Sequence, residues 1–218
     1  MSYKYWVSGF PATFATSREK IWKQQICQAL SGKQHNDSSI NLQFVFTKGN
    51  YEKYQFDIDN LCEPVFAVLT SSLRWFSGNR RNITLWTARK CIGTEQGLLV
   101  QSIDSDTLLT PSNNPLFDEV YDGILPTKAT DDNMPTWIRG LGQFKNMKKC
   151  SVRLQFENIP VSIATISSGK VKPIIDCLYP IIGGVPGAPN DEIIEMLTVE
   201  RVSNNNKTSS IRVTIWEC

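Results

Sequence analysis

Asp57 and Asp59 stand one residue apart in YQFDIDNLCEPVFAVL (residues 54–69), where an apolar alternating run passes into a helix-like one. Read as strand, the two carboxylates share a face and repel each other, because residues i and i+2 project to the same side. A hard divalent cation such as Mg2+ relieves that repulsion and takes oxygen ligands while keeping open water positions. Held there, it can activate water and stabilise a leaving phosphate oxygen. Helix capping is the competing account. Asp59 is a good N-cap, Asn60 with Glu63 three residues on makes a capping-box pattern, and Pro64 suits a first turn. Capping accounts for Asp59 or Asn60 but leaves Asp57 unexplained.

A second group of candidates is basic. Arg74, Arg80 and Arg81 cluster with Trp75 and Phe76 interleaved, a pattern that suits phosphate contacts and base stacking; a solvated turn with two core-facing rings is the plainer account. Lys20 and Lys23 on the first helix join them as candidate nucleic-acid contacts. GGVPGAP (183–189) lacks the Lys-Ser/Thr of a P-loop and the spaced glycines of a dinucleotide site, so it reads as an ordinary loop. His35, the one histidine, lies in a polar loop and is expected to face solvent. Six scattered cysteines without a CxxC pair disfavour zinc and imply reduced thiols.

These side chains need elements to position them. The chain suits one large domain or two of about 100 residues each. Its 41% hydrophobic and 20% charged content is that of a globular protein. Residues 1–102 carry 12 Lys/Arg against 7 Asp/Glu, and residues 103–218 carry 11 against 14, a mild basic bias toward the N-terminal half. No apolar run approaches the ~20 residues that span a bilayer, and a cytoplasmic protein is expected.

Internal repetition gives the organisation. GFPATFAT (9–16) matches GILPTKAT (123–130), each followed by a tryptophan, Trp22 and Trp137. NLQFVF (41–46) matches VRLQFEN (152–158), and Asp59 with Leu61 matches Asp176 with Leu178. NRRNITLWTARK (79–90) matches NDEIIEMLTVER (190–201), and each half closes on a β-rich run, GLLVQSI and SIRVTIWE. The order is preserved throughout. Two diverged copies are therefore expected, 1–103 and 117–218, joined by a Ser/Asn/Asp/Pro-rich linker at 104–116; one α/β domain with accidental word matches is the alternative. In the first copy the pattern predicts strand 3–8, helix 17–31 capped by Thr16 or Ser17, strand 40–47, helix 60–72, strand 82–89 and strand 97–103. Ile21, Trp22, Ile26, Ala29 and Leu30 lie at helical spacing. The fold class is α/β, each copy β-α-β-α-β-β.

FDIDNLCEPVFAVL resembles the Asp-Ile/Leu-Asp-Asn-Leu helix entry of RusA-type Holliday junction resolvases, and the RWF turn, the SGFPAT segment and the two closing strands follow that family's order of elements. The resemblance implies a small α/β subunit working as a homodimer, with Mg2+ held by three aspartates to cut symmetric strands of a four-way DNA junction. Two of those aspartates fall on Asp57 and Asp59. The third belongs in a turn before a strand, where the first copy reads SGNRRN and carries no acid; the family's lysine falls on Glu63. In the second copy PIIDCL leaves Ile174 and Asp176, whereas PNDEII keeps Asp191 with Glu192 beside it.

On that resemblance the chain is two tandem RusA-like units forming a pseudo-dimer, as a monomer or weak homo-oligomer. Asp57, Asp59, Asp176 and Asp191 are the candidate catalytic acids, and Asp57, Asp59 and Asp191 the Mg2+ ligands. Three readings follow: incomplete sites that bind branched or duplex DNA without cutting; one composite site in which Asp191 joins Asp57 and Asp59; or a scaffold reused for protein partners. A composite cation site further requires the acids to share an exposed concave face with no cationic side chain already neutralising them.

Overall fold

The computed structural model describes residues 2–103, 114–144, 147–203 and 208–218 of the chain. Residues 4–101 supply β1 (Lys4–Ser8), α1 (Glu19–Leu30), β2 (Ser39–Phe46), α2 (Lys48–Lys53), α3 (Ile58–Ala67), β3 (Leu85–Ile92) and β4 (Gly97–Gln101). Residues 117–217 supply β5 (Phe117–Tyr121), α4 (Asn133–Leu141), β6 (Cys150–Glu157), α5 (Val171–Asp176), α6 (Tyr179–Ile182), the short hairpin β7 (Gly184–Val185) and β8 (Ala188–Pro189), β9 (Ile194–Val202) and β10 (Ser210–Glu217).

The fold is mixed α/β. Eight strands form one mixed sheet in the order β1-β4-β2-β3-β9-β6-β10-β5. Read from either edge inward, the two halves have the same strand order and the same directions: β2 runs parallel to β3 and antiparallel to β4, as β6 runs parallel to β9 and antiparallel to β10. The halves meet where β3 pairs antiparallel with β9, and Thr87 lies opposite Thr198. These are the threonines that the matching segments 79–90 and 190–201 place in correspondence.

Alternation decides which face is buried. Ile40, Leu42, Phe44 and Phe46 on β2, and Leu154 and Phe156 on β6, are fully buried, while the residues between them stay partly accessible. The buried residues of both halves belong to a single hydrophobic cluster. Two separate cores under 1–103 and 117–218 are therefore not what holds the chain together. Of the linker at 104–116, residues 104–113 lie outside the described residues; Leu116 N–H already donates to Ile215 O at 2.8 Å on the sheet edge.

Local boundaries differ from expectation for physical reasons. α1 begins at Glu19, two residues after the predicted start, and neither Thr16 nor Ser17 caps it. The Glu19 carboxylate instead accepts from Ala15 N–H at 2.8 Å, which sets an acid at the positive helix end. Trp22, Ile26 and Leu30 form the buried stripe, whereas Ile21 is 60% exposed. β3 begins at Leu85 rather than 82, because Arg80–Asn82 forms a 3-10 turn.

α3 carries Pro64 in its interior rather than its first turn. Proline has no N–H for the Asn60 carbonyl. That carbonyl accepts from Phe14 N–H at 3.0 Å, so the loop of the GFPATFAT segment is tied to the helix by the bond that proline leaves vacant. Beyond Ala67 the helix widens into a π turn at Val68–Ser72. The chain then reverses through Arg74, Phe76 and Ser77, all at positive φ. Burial of Trp75 and Phe76, with Phe76 N–H donating to His35 O at 2.8 Å, holds that strained turn.

Candidate functional site

Asp57 is the N-cap residue of α3 and Asp59 lies in its first turn, so the DID stretch is a helix entry and not the end of a strand. Asp57 makes no capping bond to the backbone; its Oδ2 accepts from Asn60 Nδ2 at 2.7 Å. Glu63, expected in a capping box, faces elsewhere. Asp59 points inward and is 1% exposed.

The second half supplies the rest. Lys172 on α5 extends its ammonium into the acids: 3.2 Å from Asp176 Oδ1, 3.3 Å from Asp191 Oδ2 and 3.3 Å from Asp59 Oδ2. The contact with Asp59 is one of charge alone, since that oxygen accepts no hydrogen bond. Asp191 opens the 3-10 turn Asp191–Ile193 that leads into β9. Its carboxylate, that of Asp57 and that of Glu192 have oxygens within 4.8 Å of one another. The acids expected on the two halves are thus brought together, with one exchange of roles: Glu192 stands in the open group beside Asp57 and Asp191, and Asp59 is turned to Lys172.

Lys90 fixes this convergence. The alternation Trp86, Ala88, Lys90 places it on the core-facing side of β3, where its ammonium donates to Phe56 O at 3.0 Å and Glu192 O at 2.6 Å. It thereby clamps the residue before Asp57 to the residue after Asp191. Burial pulls the Lys90 ammonium below its usual range, with Glu195 and Asp57 opposing. Tyr51 donates to Glu195 beside it, and Lys149 lies 3.2 Å from Glu195.

The electrostatics are costly. Burial pushes the Asp59 and Asp176 carboxyls above their ordinary range, against the pull of Lys172. Burial, reinforced by the Asp57 charge and opposed by Lys172, pushes Asp191 up to about 7. Burial also works against the Lys172 ammonium, but Asp59, Asp191 and Asp176 together hold it above its ordinary range. Carboxylates perturbed by burial and by one another are a mark of binding and catalytic sites. The expectation of an exposed face without a neutralising cation is corrected here: Lys172 occupies the inner side of the cluster, and Asp57 with Glu192 remains its partly accessible side.

The basic candidates divide. Arg80 Nη1 donates to both Glu63 oxygens at 2.9 and 3.2 Å and to Ala164 O at 3.0 Å, while Ile166 N–H donates to Glu63 at 3.0 Å. This pair joins α3 to the 160–166 segment of the other half. Glu63→Ala leaves a buried N–H and a half-buried guanidinium without their acceptor, and should lower stability by about 2 kcal/mol in urea unfolding, with partial recovery in Glu63→Gln. Arg74 and Arg81 are exposed. Lys20 and Lys23 line an open groove between α1 and the end of α3, and Lys23 pairs with Glu19. Trp75 and Phe76 are core residues and offer no face for base stacking.

His35 is partly accessible but packed against rings rather than free in a polar loop. It stacks on Tyr3 and shares a hydrogen bond of 3.0 Å with Tyr5 Oη, and burial lowers its pKa. All six cysteines are free thiols. Among the described residues, no helix is long and apolar enough to cross a membrane. Lys172 and Lys90 escaped the sequence reading. Lys172 stands four residues before Asp176, a helical pairing distance, and Lys90 follows two core positions in strand alternation; both signals are legible in hindsight.

Fold and site define a mixed α/β protein whose two halves, alike in strand order, meet at one carboxylate cluster built from both. No family model, curated protein or solved structure matches the chain.

Proposed function

We propose that this chain is a tandem, single-chain relative of RusA-type junction resolvases, a pseudo-dimer of two diverged copies that binds branched or duplex DNA in the cytoplasm and carries one composite cation site. One observation carries the reading: Asp57 at the entry of α3 and Asp191 with Glu192 at the entry of β9 converge to within 4.8 Å from opposite halves. The repeated strand order supports the duplication, since it places those two entries at a shared boundary.

The donor set fits a hard divalent ion, being three carboxylates with a partly accessible side. Asp57, Asp191 and Glu192 would hold Mg2+, which when bound supplies positive charge at a phosphoryl group and lowers the pKa of bound water. Lys172 pairs Asp59 and Asp176 on the inner side and also holds one oxygen of Asp191, which leaves the other for a cation. Lys90 holds the two ligand-bearing segments in register. A non-enzymatic protein-interaction module on the same scaffold is the alternative, and Lys172 within the cluster favours it, because an internal ammonium already meets part of the charge.

The test is cleavage of a labelled four-way junction and its duplex arms with Mg2+ and with EDTA. Mg2+-dependent cleavage by the wild type, lost in Asp57→Asn and Asp191→Asn, is expected. Cleavage surviving both substitutions, or stable capture of a protein partner with no binding to either DNA, would overturn the reading.

A further inference from the structure

The step in numbering that carries Thr87 to Thr198 also carries Asn79 to Asn190, Arg80 to Asp191 and Arg81 to Glu192. Structure agrees with the correspondence: Asn79 precedes the 3-10 turn Arg80–Asn82 and Asn190 precedes the 3-10 turn Asp191–Ile193, each leading into one of the paired strands β3 and β9. Because those strands are antiparallel, the two turns lie at opposite ends of the pair. A cleft opens at each end. One, of about 420 Å3, is lined by Tyr51, Phe56, Lys90 and Glu192 beside the acids. The other, of about 410 Å3, is lined by Arg81, Ser162, Thr165, Ser168 and Lys170.

Chemistry separates the two. Where the first has Asp57, the corresponding position is Ile174, fully buried; where it has Asp191, the position is Arg80, held by Glu63. No cation site can form there. No carboxylate lines the second cleft. Arg81 presents a guanidinium with no hydrogen bond or ion pair among the described residues, and Lys170 makes a single contact of 3.4 Å to Pro126 O. Ser162, Thr165 and Ser168 line the same space as the two cations, with Thr165 Oγ1 donating to Ser162 Oγ at 3.0 Å, so that the Ser162 and Ser168 hydroxyls are the donors left there. Two cations with hydroxyl donors and no acid suit a phosphate oxygen.

We propose that the Arg81–Lys170 cleft is an anion site for a backbone phosphodiester, so that the chain grips nucleic acid at two related ends but has carboxylates at one alone. This rests on the nucleic-acid reading above. One strand would then be cut per engagement, leaving a nick.

Binding of a fluorescein-labelled duplex and of inorganic pyrophosphate is measured in EDTA for the wild type and for Arg81→Ala/Lys170→Ala. Expected is a loss of about tenfold or more for both probes, with the log–log salt slope for the duplex reduced by about 2. Duplex binding unchanged by the double substitution overturns the cleft assignment and leaves the nucleic-acid reading standing. Pyrophosphate binding lost in the variant, with no duplex bound by the wild type, keeps the anion site and removes the nucleic-acid reading. Failure of the wild type to bind either probe overturns the proposal.

Discussion

Asp57→Asn and Asp191→Asn are each expected to weaken Mg2+ or Mn2+ binding by about a hundredfold or more, since even residues that merely orient metal ligands alter affinity by about 10–100-fold. Calorimetric titration of the full chain measures it. Asp176→Asn serves as the comparison, because Asp176 faces Lys172 and is outside the group of three carboxylates. The pH dependence follows from Asp191. Burial and the Asp57 charge put its pKa at about 7, so below neutrality a proton must leave before a cation binds. Affinity should rise about tenfold per pH unit up to about 7 and then level off, with close to one proton released per ion at pH 6. Equal affinities in wild type, Asp57→Asn and Asp191→Asn would remove the composite cation site altogether.

Lys172→Met should destabilise the cation-free chain by about 3 kcal/mol at pH 8, because it strands three buried carboxylates that share one ammonium. The sign with pH is set by the acids. Their folded-state pKa values lie above the unfolded ones, so the folded chain holds extra protons between about pH 4 and 7 and loses stability as pH rises through that window. Removing Lys172 raises those pKa values further and extends the loss to higher pH. The destabilisation should therefore shrink toward pH 5, where Asp191, with its pKa at about 7, is neutral, and Lys172→Arg should retain most of the stability. Urea unfolding of both variants at pH 5 and pH 8 decides it; a loss independent of pH would mean that Lys172 acts by packing its stem and not by charge.

The same cluster accounts for how much of the protein was legible in its sequence. Local signals carried the elements well where side-chain period and burial coincide, as on β2, where every second residue from Ile40 to Phe46 enters the core. They failed where a contact not legible in the pattern intervenes: Thr16 donates its hydroxyl to Thr13 O and α1 starts without a side-chain cap, and Phe14 N–H takes the carbonyl that Pro64 leaves free inside α3. The repeated words led to the expectation of two halves alike in their order of elements, and the pairing of strands within the sheet, the same in both halves, came from the structure. They did not predict a shared core, since word matches say nothing of how closely two halves meet.

By itself the sequence determined the acids, Asp57 and Asp59 in the first half of the chain and Asp176 and Asp191 in the second. Tertiary structure alone decided that they form one cluster. Pairing β3 against β9, Thr87 facing Thr198, brings the entry of α3 beside the entry of β9, and Lys90 and Lys172 hold them there. The physical reason is range. Residue type and spacing report on contacts within a turn or a strand, whereas repulsion between Asp57 and Asp191 and the ammonium that offsets it act across more than a hundred residues of chain, and become visible only once the sheet has closed that distance.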